Sequence, residues 1–112
     1  MNIFLIGLGG FLGAISRHAC SSYIKSQPFK VMFVNLLGCF FLGFLSSKVL
    51  DLRLRMFLFI GFLGSFTTFS TFISDNFNLM NSKDFMMMGL NIFVQIFLGL
   101  IIFYFGNQLS NQ

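Results

Sequence analysis

Gly61-Phe62-Leu63-Gly64-Ser65-Phe66-Thr67-Thr68-Phe69-Ser70-Thr71-Phe72 lies inside an apolar segment long enough to enter a membrane, yet it carries two glycines and a cluster of hydroxyls. In hydrocarbon, each backbone group left without a partner costs several kcal/mol. A segment prone to breaking its helix here must be buried in protein, hydrated or bound to an ion. A discontinuous membrane helix at mid-depth is a sequence pointer to a transport site.

The flanking sequence sets the class. Hydrophobic residues make up 56% of the 112 and charged residues only 9%, with a mean hydropathy of +0.87. An ordinary soluble domain has roughly a quarter of its residues charged. Four apolar segments, at about 3–23, 31–50, 56–77 and 85–105, are joined by short polar stretches. Each approaches the roughly 20 residues needed to cross a bilayer. The expectation is one all-α domain over residues 1–112, with four transmembrane helices and no soluble module. Met1-Asn2 offers no basic start for a signal peptide. Cys20 and Cys39 fall within spans and read as small apolar residues, and Pro28 helps the first joint turn.

Charge bears on orientation, which follows the Lys and Arg of short loops. Lys48, Arg53 and Arg55 flank the second joint, while Lys25, Lys30 and Lys83 flank the first and third. The two sides balance, with Arg17 leaning toward the latter. Such a balance predicts insertion in both orientations. A four-helix chain is too small to enclose a path alone, and twofold dimers are the commonest association. The dimer can then be antiparallel. Gly7, Gly9, Gly10 and Gly13, with Gly38 and Gly43, allow close approach either between copies or within one chain.

Asp51 and Asp84 sit at joints, Asp75 is near the end of the third helix, and no carboxylate lies mid-span. A proton-coupled exporter of cationic drugs needs a buried acid. His18 has no partner at catalytic or metal-ligand spacing, so nothing here indicates an enzyme. A holin-like pore-forming peptide would not require ordered polar residues. Those at depth are neutral: Asn35, then Asn91 and Gln95 four apart on one helix face. Thr67, Ser70, Thr71 and Ser74 form one helical stripe beside Phe66, Phe69 and Phe72. These hydroxyls serve interhelical hydrogen bonding or line a path. A path of hydroxyls, amides and phenyl edges, whose rims carry the positive end of the ring quadrupole, suits a small anion. Arg17 and the loop lysines would concentrate anions at its mouths.

The chain resembles the Fluc fluoride channels, the bacterial CrcB proteins, across nearly its whole length. The matching pieces are Gly9-Gly10-Phe11-Leu12-Gly13-Ala14-Ile15-Ser16-Arg17, Val34-Asn35-Leu36-Leu37-Gly38-Cys39-Phe40 and the 61–72 stretch. The resemblance implies a multi-pass protein of the bacterial plasma membrane, an antiparallel dual-topology homodimer whose two pores let fluoride leave passively. It implies a third helix broken near Gly64 to Thr67, whose carbonyls from both copies hold one structural Na+. It also implies that Phe69 and Phe72 line the pore, with Asn35, Ser70 and Thr71 as polar pore residues and Arg17 near an entrance. The partners so implied are fluoride, membrane lipid and a second copy, with no nucleic acid. Ser65 stands where the family usually has a second glycine. Asn91 and Gln95 stand where it commonly has Tyr and Ser, so a polar track survives with altered contacts.

Overall fold

Four helical spans make up the protein in the computed structural model, which describes residues 2–48 and 50–112. Helix α1 is Asn2–Ser21 and α2 is Phe29–Ser46. The third span, Leu52–Asn81, is helical over residues 52–66 (α3) and again over Phe69–Asn81 (α4). The fourth, Phe85–Ser110, is one helical run (α5). All four are long and apolar enough to cross a membrane. The longest dimension, 47 Å, is close to the ~40–45 Å of a bilayer with its headgroups.

The helix ends differ from the apolar boundaries, and hydrogen bonds explain why. Helix α1 stops at Ser21, two residues short of the apolar limit. There the hydroxyls of Ser21 and Ser22 bond the carbonyls of His18 and Ala19 at 3.1 and 2.6 Å. Helix α2 stops at Ser46, where the Ser46 hydroxyl donates to the Gly43 carbonyl at 2.7 Å. Helix α3 starts earlier than its apolar run because Asp51 caps it, accepting from the Leu54 amide at 2.8 Å. Asp84 caps α5 in the same way, accepting from Met87 at 3.2 Å. Two of the three acids therefore hold helix N-termini, where carboxylates complement the free amides and the helix dipole.

Two glycine seams assemble the bundle. Helix α1 lies against α3, and a methyl group added to Gly9 or Gly13 would strike the carbonyls of Phe57 or Phe62. Residues 56–63 of α3 are wound as a wider π-helix along this seam. Helix α2 lies against the second half of α5, where Gly43 meets the Phe103 carbonyl and Gly106 meets the Phe40 carbonyl. Gly38 closes on the Thr67 side chain, and Gly10 faces the Ser65 hydroxyl. Five of the six glycines singled out in the sequence thus pack within one chain. Gly7 has open space beside it. Membrane helices lack a hydrophobic drive to associate, so close backbone contact of this kind carries the packing.

Gly13→Ala and Gly43→Ala should each destabilise the protein by about 1–3 kcal/mol through forced separation of the helices. Gly89→Ala, at an open position, should be neutral or slightly stabilising through better helix propensity. Thermal unfolding in detergent would read this order, and equal midpoints for all three would contradict it.

Candidate functional site

Helical geometry stops at Phe66 and resumes at Phe69. Thr67 (φ −88°, ψ 156°) and Thr68 (φ −146°, ψ 116°) between them are extended. Each side of the gap is closed by threonine chemistry. The Thr67 amide and hydroxyl both bond the Leu63 carbonyl, at 3.2 and 3.0 Å. The Thr68 hydroxyl caps α4, accepting from the Thr71 amide at 3.3 Å.

The Thr68 peptide groups, stripped of helical partners, are taken up by Asn35 on α2. Its Oδ1 accepts from the Thr68 amide at 2.8 Å and its Nδ2 donates to the Thr68 carbonyl at 3.1 Å. One side-chain amide thereby imitates a backbone neighbour. From α1, Arg17 Nη1 donates to the Ser65 carbonyl at 2.8 Å. In a continuous helix the carbonyls of Gly64 and Thr67 would accept from Thr68 and Thr71. Both of those amides are engaged elsewhere.

The gap rearranges the stripes expected from sequence. Thr67 lies outside α4, so its spacing to Ser70, Thr71 and Ser74 is not that of one helix; Thr68 instead joins Thr71, hydroxyl to hydroxyl at 3.1 Å. Phe66 is buried before the gap and stacks on Phe62, with ring centroids 6.0 Å apart. Only Phe69 and Phe72 remain a pair, at 5.7 Å with planes tilted by 43°. Phe72 is buried, whereas Phe69 is 73% exposed on the chain's surface.

Asn91 and Gln95 do share a face of α5, joined by Gln95 Nε2 to Asn91 Oδ1 at 2.8 Å. Gln95 Oε1 accepts from Asn35 at 2.6 Å. Asn91 is fully buried and donates to Asn76 on α4 at 3.0 Å. Asn76 escaped the sequence reading, although it follows Phe72 by four residues, the spacing that places it on the same face. Asp75 was read as lying near a helix end. It is buried inside α4, and its Oδ2 accepts no hydrogen bond.

A cavity of about 320 Å³ opens beside the gap, lined among others by Asn35, Gly64, Thr67, Phe69, Phe72 and Gln95. A smaller polar one of about 160 Å³ contains Arg17, His18, Lys30, Thr68 and Thr71. The structure therefore gathers Asn35, Phe69, Phe72 and Gln95 with the two glycine and threonine backbone positions. Arg17 and Thr71 stand on the cationic side of Thr68, which borders both spaces. Asn91, fully buried, and Ser70, exposed, line neither. No carboxylate lines either space.

The profile of a family described as CrcB-like protein, Camphor Resistance (CrcB), matches residues 4–107. A protein of Campylobacter fetus subsp. fetus named "Fluoride-specific ion channel FluC" is 41% identical, over 93% of this chain and 89% of that one. One of the same name from Methanococcus maripaludis is 40% identical, over 96% and 94%. "Fluoride-specific ion channel FluC 2" of Clostridium acetobutylicum is 36% identical, over 98% of both chains.

The Asn35 contacts set a stability test. Asn35→Leu leaves two Thr68 backbone groups without partners, at about 1–3 kcal/mol each. Resistance to thermal or denaturant unfolding in detergent should drop accordingly, whereas Phe33→Leu, at an exposed site two residues away on α2, should change little. A variant at Asn35 as stable as the parent would show that the amide does not hold the gap.

Proposed function

Because this multi-pass membrane protein belongs to the CrcB family, we propose that it is a fluoride-selective channel that lets fluoride leave the cell passively and so limits its toxicity. The observation that carries this reading is the cavity beside Thr67 and Thr68. It joins the Phe69 and Phe72 rings to neutral amide and hydroxyl groups, with no carboxylate in its lining. Phenyl edges and neutral donors attract a small anion without the grip of a fixed cation. Conduction requires such binding, favourable enough to enter and weak enough to leave. Arg17 and Lys30, around the adjoining polar space, would raise the local anion concentration at an entrance.

The working unit in this reading is an antiparallel homodimer with the third span interrupted at mid-membrane. Two observations support a second copy. Gly64 and Phe69 are exposed in the middle of the third span, and positive charge is balanced between the two ends of the bundle. A structural Na+ fits the same place. The carbonyls of Gly64 and Thr67 have lost their helical amide partners, and hard monovalent cations take oxygen ligands of this kind. The ion would supply positive charge to carbonyls from both copies. Within one copy, Thr67 and Asn35 shape the backbone that presents them.

Purified protein in liposomes loaded with fluoride should release it without a proton gradient, and chloride-loaded liposomes should retain their contents. Release no faster than from protein-free liposomes would refute the channel reading. Lysines added at one end to fix a single orientation should abolish release, and mixing with an oppositely biased variant should restore it. Normal release from one fixed orientation alone would refute the antiparallel arrangement.

Phe69→Ile and Phe72→Ile keep an apolar side chain but lose the ring edge. Each should lower fluoride release about fivefold, the factor that corresponds to the ~1 kcal/mol that aromatic contacts supply beyond area, while Phe57→Ile leaves it within about twofold. Equal release from all three, with assembly intact, would reduce the rings to packing residues.

A further inference from the structure

Four side-chain amides form one continuous relay across three helices. Asn35 Nδ2 donates to Gln95 Oε1 at 2.6 Å, Gln95 Nε2 to Asn91 Oδ1 at 2.8 Å, and Asn91 Nδ2 to Asn76 Oδ1 at 3.0 Å. Asn76 Nδ2 then donates to the Phe72 carbonyl at 3.0 Å. Every member accepts through its oxygen and donates through its nitrogen in the same sense. Backbone groups fix that sense at both ends, through the Thr68 amide at one and the Phe72 carbonyl at the other. A single reversed amide would set oxygen against oxygen or nitrogen against nitrogen in a buried site, where an unmatched polar group is costly.

The relay also distributes hydrogens. A primary amide has two N–H donors. Asn35 commits both, to the Thr68 carbonyl and to Gln95. Gln95 commits one, to Asn91, and its side chain lines the 320 Å³ cavity with Phe69 and Phe72. Asn91 is fully buried, away from that space.

We propose that the second Nε2 hydrogen of Gln95 is the amide donor offered to fluoride, that Asn35 is a positioning residue with none to spare, and that Asn76 is the anchor that fixes the polarity of the relay. This rests on the fluoride-channel reading. Asn76 Nδ2, held by the Phe72 carbonyl, turns its oxygen to Asn91. Asn91 then presents its own oxygen to Gln95, which keeps the Gln95 nitrogen on that side. Without Asn76 the buried Asn91 amide loses its acceptor and is free to turn, and Gln95 loses its orientation. Because Asn76 bonds the carbonyl of Phe72, the same anchor ties the ring pair to the amide donor.

The test uses full-length protein labelled with ¹⁵N at glutamine and asparagine side chains, in detergent micelles, with Gln95 assigned by its loss in Gln95→Leu. Sodium fluoride should shift one Gln95 side-chain proton, sodium chloride should not, and the Asn35 pair should stay in place. A fluoride-dependent shift at Asn35 with none at Gln95 overturns the donor assignment, and this arm needs no further variant to fold. In Asn76→Leu, the Gln95 proton bonded to Asn91 should move upfield with no fluoride present. Fluoride release from liposomes should fall roughly five- to tenfold, the factor set by one neutral hydrogen bond. Asn78→Leu, at an exposed neighbour, should match the parent in both. Unchanged Gln95 signals in Asn76→Leu overturn the anchoring role. Failure of the parent protein itself to release fluoride refutes the channel reading instead, and the fluoride-free Gln95 signals still decide the relay.

Discussion

A backbone amide and carbonyl inside a membrane must find partners in protein, and at Thr68 they find them in one side chain. Asn35 accepts from one and donates to the other. The extended pair Thr67 and Thr68 can persist in an otherwise helical span because this substitute is in place. The rest of the site follows from the gap. Phe69 and Phe72 begin a new helix with its own phase, Thr68 becomes a cap, and the carbonyls of Gly64 and Thr67 are released from the helical ladder.

The glycine seams put Asn35 within reach. Gly38, one turn after Asn35 on α2, lies directly against the Thr67 side chain. Any larger residue there would lift α2 away from the gap and pull the amide off Thr68. On the other side, Gly9, Gly10 and Gly13 bring α1 down onto α3, so that Arg17 reaches the Ser65 carbonyl. Small residues and the polar clamps thus act together: backbones approach closely, and side chains then complete the hydrogen bonding that the approach exposes. Ser65 takes part through its carbonyl and so needs no particular side chain for this contact.

Much of this was legible in the chain. The four spans were readable because a membrane demands long apolar runs, and that demand is met residue by residue. The face shared by Asn91 and Gln95 was equally readable, since a spacing of four is a local property of a helix. The hydroxyl stripe was misread at Thr67 because periodicity assumes an unbroken helix, and two extended residues reset the phase. Asn76 went unnoticed for a related reason. As one polar residue in a polar half-turn, it gains significance only when α5 brings Asn91 against it.

By itself, then, the sequence determined the membrane class, the number of spans, the neutral polar residues of the second and fourth spans and the place where helical geometry is weak. Those are set by composition and by neighbours within a few residues. Only the tertiary structure decided which polar groups meet: Asn35 with Thr68, Arg17 with Ser65, and Asn76 with Asn91, separated by 33, 48 and 15 positions. Partnership between groups so far apart depends on the distance between helices. That distance is set by which glycine faces which carbonyl, and no local pattern records it.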